Sequence, residues 1–276
     1  MRQDAWEDNQ ERALRAGRFD PTAIDAYLAV HQHRFDLYDP QQPFLQDPRL
    51  ATECTKASAP GRLAMTRASG NTQPWVNHTP ESVPVESGEA LGRLLAWRDY
   101  GPCGTAAQRS HAGITTKSAK SGPNRRLISY FPHADNLFTS LVLACPPPSR
   151  WPDMPGDDLA PWDQDNLPAP LAPTVASGPV SLLTARTAHA VRLTPGDDGA
   201  HSAACWIAWG TRSDLPPAID PFTMTTPKGN ARIELSPGTW TPEFHAARVI
   251  LRDAAVRCSN WIGLRWSSVE WRRRRL

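Results

Sequence analysis

The sequence lacks the features of a membrane protein and of a disulfide-stapled secreted domain. Its 276 residues contain no apolar run long enough to cross a bilayer, and residues 1–20 lack the apolar core of a secretory signal. The five cysteines are odd in number and form no CxxC pair, which fits neither a disulfide framework nor a structural zinc site. We therefore predict a cytoplasmic protein with reduced thiols and no membrane partner.

Motifs of known catalytic chemistry are missing as well. The chain contains no GxSxG elbow, HExxH zinc motif, phosphate-binding P-loop or GxGxxG fingerprint. His31 and His33 would point to different faces of a helix, so they do not predict a metal pair. The sequence thus offers no catalytic residue, metal site or cofactor. A hydrolase built from dispersed Ser, His and Asp residues is a less favoured alternative.

A strong charge of either sign is absent too. The 30 Lys and Arg residues nearly balance the 28 Asp and Glu residues, so the formal charge of +2 points to no particular partner. Hydrophobic residues make up 40% of the chain, which is enough to bury a core. The 28 prolines and 17 glycines predict long irregular segments between the ordered elements.

Three segments have the capping residues and apolar spacing of helices. Asp20 followed by Pro21 predicts a helix start, with apolar residues at helical spacing behind it. Ser87 is the predicted N-cap of an amphipathic helix over 87–100, which Gly-Pro should end. Residues 135–143 are predicted to form an N-capped apolar helix that packs in the core.

Short β-like runs, separated by turn signals at 195–199 and 227–230, predict a small antiparallel sheet in the second half of the chain. The proline-rich segment 35–50 is instead predicted as an ordered loop. The fold class is therefore α+β, a loop-rich large domain with a few amphipathic helices. The predicted strands are 180–183, 190–193, 203–209 and 231–235. The predicted apolar anchors of the loop are Phe35, Leu37, Phe44 and Leu45.

Residues 101–134 form an unusual stretch that contains no acidic residue. Its glycines predict a flexible basic loop, which could place cations and bare amide groups along a phosphate backbone. A solvated surface loop is the alternative, since isolated basic loops are commonly just that. The basic residues of the stretch are Arg109, Lys117, Lys120, Arg125 and Arg126, with His111 and His133.

Several motifs, taken in order, resemble a known family. They are FDLYDPQQPFLQDPRL at 35–50, SGNTQPWVNHT at 69–79, EALGRLLAWRDYGPCG at 89–104 and RRLISYFPHADNLFTSLVLACP at 125–146. This set resembles the CasA family, the large subunit of the type I-E CRISPR surveillance complex Cascade. The similarity continues more weakly to about residue 250.

The resemblance implies a non-enzymatic subunit for DNA recognition in antiviral defence. Such a subunit would bind target double-stranded DNA at the protospacer-adjacent motif, help to start strand separation and recruit the helicase-nuclease effector. Its other partners would be the remaining Cascade subunits and the CRISPR guide RNA, whose pairing supplies most of the sequence specificity.

The resemblance also implies roles for particular residues. Gly101 and Gly104 lie where the family has a glycine-rich loop that approaches the DNA minor groove. Trp75 and Asn77 lie where the family contacts the guide RNA or a neighbouring subunit, although Trp75 could equally be a core residue. Arg212 lies near a family position used in motif recognition. The predicted nucleic-acid-binding residues are Gly101, Gly104, Arg109, Lys117, Lys120, Arg125, Arg126 and Arg212.

The resemblance finally predicts a domain layout. Residues 1–243 are predicted as the family's N-terminal domain without its usual first segment. Residues 244–276 are predicted as a helical start followed by a divergent arginine-rich tail, in place of the family's C-terminal four-helix bundle. A degenerate fragment that no longer assembles, because apolar surface has lost its cover, is the alternative.

Overall fold

The computed structural model describes residues 3–65, 83–125, 132–145, 157–172, 177–178, 180–181, 187–212, 225–228 and 231–234. The chain divides into two compact units. The first unit consists of Met1–Arg18, Arg126–Arg150 and Asp220–Leu276, and the second of Phe19–Arg125 and Trp151–Ile219. Both predicted types of secondary structure are present, so the fold is α+β.

The described residues form five α-helices and three short 3-10 turns. The α-helices are α1 (Gln3–Ala16), α2 (Pro21–His31), α3 (Leu50–Glu53), α4 (Ser87–Tyr100) and α5 (Leu137–Ala144). The 3-10 turns are Gln32–Phe35, Pro60–Leu63 and Pro161–Asp163. Helix α1 was not predicted. None of the helices that the structure describes is both long and apolar enough to cross a bilayer.

The starts of α2 and α5 confirm the predicted caps. The side chain of Asp20 accepts a hydrogen bond from the backbone N–H of Thr22 at 3.0 Å, with Pro21 in the first turn. The side chain of Asn136 accepts from the N–H of Thr139 at 2.8 Å. Each cap satisfies a backbone donor that has no partner inside the helix.

The predicted cap of α4 was wrong by one residue. The side chain of Glu86, not of Ser87, accepts a hydrogen bond from the backbone N–H of Glu89 at 2.9 Å. Ser87 is the first helical residue, and its hydroxyl instead donates to the carbonyl of Ala200 at 2.7 Å. A carboxylate at the positive end of the helix dipole explains the choice of Glu86. The helix ends at Tyr100, as predicted.

Seven strands lie in the described residues. They are β1 (Val85–Glu86), β2 (Gly104–His111), β3 (Ile114–Ala119), β4 (His189–Pro195), β5 (His201–Trp209), β6 (Thr225–Lys228) and β7 (Ala231–Glu234). An antiparallel sheet has the order β1-β5-β4, while β2–β3 and β6–β7 are two-stranded hairpins. The predicted strands at 190–193, 203–209 and 231–235 are therefore confirmed, with small differences at their ends.

Two predictions about the backbone were wrong. The stretch 101–134 is not one flexible loop, because its residues 104–119 form the β2–β3 hairpin. Of the predicted strand 180–183, the structure describes 180–181, which are helical. The carboxylate of Asp158 accepts the backbone N–H groups of Val180 and Ser181 at 3.0 and 2.8 Å, and this favours a helical turn over a strand.

The three-stranded sheet has apolar side chains on both faces, since successive residues of a strand alternate in direction. On one face, side chains of β4 and β5 pack against α4 and the 3-10 turn at 60–63. On the other face, Ala190 and Ala208 pack against Leu50 and Cys54 around α3. The predicted loop anchors Leu37 and Leu45 pack on the first face, and Phe35 and Phe44 meet edge to face with ring centroids 5.3 Å apart.

In the first unit, α1 contacts α5. Trp6 of α1 is buried, and the side-chain amide of Gln10 donates to the carbonyl of Val142 at 3.1 Å. The prediction that α5 packs in the core was only partly right, because Val142 is buried but Leu137 and Leu141 are exposed. Apolar residues occupy most of the circumference of this helix, so they cannot all face α1 at once.

Candidate nucleic-acid interface

The β2–β3 hairpin gives the basic stretch two distinct faces. Arg109 pairs with Thr116 and Ser110 pairs with Thr115, and the two residues of a cross-strand pair project to the same side. Because neighbouring residues alternate, Arg109 lies on the inner face, while Lys117 shares the outer face with Ser110 and Thr115. The two cations that looked equivalent in the sequence therefore point in opposite directions.

The inner face is held by a buried arginine. Arg109 is 0% exposed, and its three guanidinium nitrogens donate hydrogen bonds to three different partners. Nε donates to Glu53 Oε2 at 2.6 Å, Nη1 to the carbonyl of Trp209 at 2.8 Å and Nη2 to Asp47 Oδ2 at 2.8 Å. A guanidinium can do this because its planar fork presents donors in several fixed directions.

Asp47 connects the Arg109 guanidinium to the three-stranded sheet. Its carboxylate also accepts Arg49 Nε at 2.7 Å and Nη2 at 3.0 Å, and its backbone N–H donates to the carbonyl of Val191 in β4. Burial by itself would raise the pKa of Asp47, but the hydrogen bond from Arg49 and the charge of Arg109 hold it below its ordinary value. The carboxylate is thus ionised beside Arg109 at neutral pH.

Trp209, the last residue of β5, contacts Arg109 with both its ring and its indole N–H. The Arg109 guanidinium carbon lies 4.8 Å from the centroid of the Trp209 ring, and Trp209 Nε1 donates to the carbonyl of Arg109 at 3.4 Å. His111 Nδ1 lies 2.7 Å from Glu53 Oε1. We call Arg109, Asp47, Glu53, His111 and Trp209 the arginine cluster.

Arg109 is therefore removed from the predicted DNA-binding residues. Its side chain is inaccessible, and all of its guanidinium nitrogens are engaged inside the protein. Withdrawing it would remove the cation shared by two largely buried carboxylates, which is costly. Its partners are 56, 62 and 100 residues away along the chain, so no local pattern could have identified them.

The other predicted cations that the structure describes are exposed. Lys117 lies on the outer face of β3, and Lys120 follows the strand. Arg125 donates from Nη1 to the carbonyl of Tyr100 at 2.9 Å, at the negative end of the α4 dipole. Arg212 follows β5, and its Nη1 donates to the carbonyl of Ser118 at 3.3 Å. Folding thus brings Arg212 beside β3, although the two are far apart in sequence.

The two predicted glycines differ in the same way as the cations. Gly101 is buried, and a Cβ there would lie 2.5 Å from the carbonyl oxygen of Trp97 and 2.8 Å from the His189 ring. Its missing side chain serves packing within the protein, so Gly101 is not carried forward as a DNA contact. Gly104 is exposed, has a φ of +132° and has open space around it. It remains a predicted contact.

Three predicted residues lie outside the described part of the chain: Trp75, Asn77 and Arg126. The exposed residues that we carry forward as the basic face are Gly104, Lys117, Lys120, Arg125 and Arg212. This face can attract phosphates through charge and through N–H donors.

Cys54 and Glu53 lie beside Arg109 of β2. Burial raises the pKa of the Cys54 thiol to about 11, so it stays protonated at neutral pH. In the described ranges, no group of three or more His, Cys, Asp or Glu residues is placed to hold a metal ion. Glu53 is already engaged by Arg109 and His111.

Comparison with known proteins gives consistent matches. The family model of the CRISPR-associated protein Cse1 matches residues 2–239. A CasA/Cse1 protein of Thermus thermophilus is 31% identical over 151 residues, which are 54% of this chain and 28% of that protein.

Two solved structures are also similar. A chain of a CRISPR RNA-guided surveillance complex is 35% identical with a TM-score of 0.74, over 85% of this chain and 47% of that chain. A chain of a pre-nicking complex of the same description is 36% identical with a TM-score of 0.72, over 81% of this chain and 44% of that chain. The present chain thus spans less than half the length of these relatives.

Proposed function

Because the chain belongs to the CRISPR-associated Cse1 (CasA) family, we propose that it acts as the large subunit of a cytoplasmic Cascade surveillance complex. Its role there is to bind target double-stranded DNA at the protospacer-adjacent motif and to recruit the helicase-nuclease effector in antiviral defence. Its partners are the other Cascade subunits and the guide RNA. The mechanism is binding, with no bond made or broken by this chain.

The basic face is the observation that supports DNA binding most directly. Lys117, Lys120 and Arg212 are exposed around β3, and the surrounding stretch 101–134 has no acidic side chain to neutralise them. The hydrogen bond from Arg212 to Ser118 adds a cation from a segment 94 residues away. Cations that track a phosphate backbone release condensed counterions, and this favours binding at low salt.

Gly104 has the second feature expected of a groove-facing segment. Its φ of +132° and the open space around it leave the backbone bare at the start of β2. A backbone without a side chain can come close to base edges in a narrow groove. We therefore assign the approach to the minor groove to Gly104 and not to Gly101.

The first test of this proposal is co-purification with the other Cascade subunits and guide RNA. We expect stoichiometric incorporation of the chain and tighter binding of a target duplex by the complex that contains it. A chain that stays out of the complex, or that enters it without changing DNA affinity, contradicts the proposal and favours the degenerate-fragment alternative.

The second test asks whether the basic face makes the contact. A plot of log affinity against log salt concentration has a negative slope, whose magnitude we call the salt slope. The double variant Lys117→Gln/Arg212→Gln should reduce the salt slope by about two, because each phosphate contact contributes about one. The matched control is Arg12→Gln/Arg15→Gln, which removes two exposed charges from α1. An unchanged slope in the first variant would remove the basic face from the DNA interface.

A further inference from the structure

We propose that Arg109 is a positioning residue, which sets the placement of Lys117 and Arg212 on DNA without touching DNA itself. This inference rests on the proposed function. It assigns a role in binding to a residue that is 0% exposed and that DNA cannot reach.

Arg109 joins the hairpin to three separate parts of the fold. Asp47 belongs to the loop that precedes α3, Glu53 to α3 and Trp209 to the end of β5. The backbone reinforces this attachment, since the N–H of Thr55 donates to the carbonyl of Gln108 at 3.2 Å. The inner face of β2 is thus fastened beside the end of β5.

Two cations of the basic face, Lys117 and Arg212, lie a short distance along the chain from this attachment. Thr116 is the cross-strand partner of Arg109, and Lys117 is the next residue. Arg212 follows Trp209 by three residues, and its guanidinium reaches back to the carbonyl of Ser118 on β3. A shift of β2 relative to β5 therefore changes the spacing between Lys117 and Arg212.

Spacing is important because phosphates occupy regular positions along a duplex. Two cations contribute separately to binding only when both reach a phosphate at once. A rigid connection holds them at a fixed separation before DNA arrives, so less ordering is needed on binding. Arg109 supplies this connection because its planar guanidinium donates to all three partners at once, whereas a lysine ammonium offers no such fork.

A double-mutant cycle in the assembled complex tests this inference. The variants are Arg109→Lys, which keeps the buried charge but loses the fork, Lys117→Gln, and the two combined. We expect Lys117→Gln alone to weaken target-duplex binding roughly 3-fold and to lower the salt slope by about one. Arg109→Lys should lower the slope by about one, although it removes no exposed charge. In the Arg109→Lys background, Lys117→Gln should then have less than half of its original effect.

A merely structural role predicts a different result. Arg109→Lys would lower the melting temperature but leave the salt slope at the wild-type value, and the two substitutions would act additively on affinity. That result overturns the inference while leaving the proposed function intact. If Lys117→Gln and Arg212→Gln do not change the slope in the wild-type background, the proposed DNA surface itself is wrong, and the inference falls with it.

A second variant covers the case in which Arg109→Lys fails to fold. Glu53→Gln keeps the contacts of Arg109 with Asp47 and Trp209, and weakens the acceptor of Nε together with the contact to His111. We expect it to reduce the salt slope in the same direction by a smaller amount. Arg93→Gln on α4, which breaks an exposed pair with Glu89, is the matched control and should leave the slope unchanged.

Discussion

The two faces of the β2–β3 hairpin show how differently one kind of side chain can be used. Arg109 on the inner face is buried and bonded to Glu53, Asp47 and Trp209, while Lys117 on the outer face is exposed to solvent. Both belong to the same acid-free stretch, and charge alone does not distinguish them. Their difference is that the fold brings carboxylates to one face and leaves the other open.

The two faces differ in whether a cation can contact DNA directly. A buried cation that is paired and fully hydrogen-bonded contributes to the fold through its partners, and its loss leaves them unsatisfied. An exposed cation contributes little to stability but remains available to a phosphate. We therefore expect outer-face substitutions to act on DNA affinity and its salt dependence with little effect on stability. Inner-face substitutions should lower the free energy of unfolding and change DNA binding only indirectly, through the placement of Lys117 and Arg212.

The largest expected effect comes from removing the arginine cluster's cation. Arg109→Met should lower the free energy of unfolding by about 3–5 kcal/mol, because it removes the cation that two largely buried carboxylates, Asp47 and Glu53, share. Lys117→Met is the matched substitution on the outer face and should stay within about 0.5 kcal/mol of wild type. Denaturant unfolding of the two variants measures the contrast. Equal losses would show that the faces do not differ in this way.

The two predicted glycines sharpen the contrast in the same stretch. Gly101→Ala should destabilise the protein by about 1–3 kcal/mol, because the new Cβ would overlap the Trp97 carbonyl and the His189 ring. Gly104→Ala meets no neighbouring atom, and its cost, about 1–3 kcal/mol, comes from the backbone conformation alone. Unfolding curves measure both losses. A stability of Gly101→Ala within about 0.5 kcal/mol of wild type would contradict the close contacts around Gly101.

A third prediction concerns pH and the buried ring beside Gly101. Burial lowers the pKa of His189 from the ordinary 6.5 to about 4, because desolvation disfavours the charged form. Between these values the unfolded chain binds a proton that the folded chain does not, so stability falls as the pH drops. Going from about pH 6.5 to about pH 5 should cost about 2 kcal/mol.

The control for this prediction is His189→Phe, which cannot titrate. Urea unfolding at the same two pH values should show a smaller loss in the variant than in wild type. The same pH dependence in both proteins would mean that other groups are responsible.

The smallest expected effect is at the exposed tip of the hairpin. Ala112 has a φ of +46° and Gly113 a φ of +82°, as a two-residue turn between β2 and β3 requires. Ala112→Asn should raise the free energy of unfolding by about 0.5–1 kcal/mol, since Asn tolerates this conformation better than Ala. Thermal unfolding measures the gain. A loss of stability would show that the turn prefers the smaller side chain.

Local patterns were sufficient for much of the secondary structure. The Asp20 cap, the end of α4 and the strands β4 and β5 all follow from residues close together in the sequence. The hairpin β2–β3 was missed because its alternation is weak, with Ala, Gln, Ser and Thr in place of large apolar residues. An Ala-Gly tip is also a poor signal for a two-residue turn.

The candidate site was predicted less completely than the fold. The acid-free stretch pointed to the segment that carries the basic face, and Lys117, Lys120, Arg125 and Arg212 are exposed as a DNA contact requires. No local feature distinguishes these residues from Arg109. The proximity of Arg212 to Ser118 likewise depends on pairing between segments that are distant in the chain.

The sequence by itself determined the caps of α2 and α5, the strands β4, β5 and β7, the position of the basic stretch and the family resemblance, because each depends on neighbouring residues or on ordered motifs. Only the tertiary structure decided which cation is buried and which faces solvent. Burial depends on partners brought from far along the chain: Arg109 meets Asp47 across 62 residues and Trp209 across 100. A positive charge attracts any anion, and the fold decides whether a carboxylate of the protein or an external phosphate pairs with it.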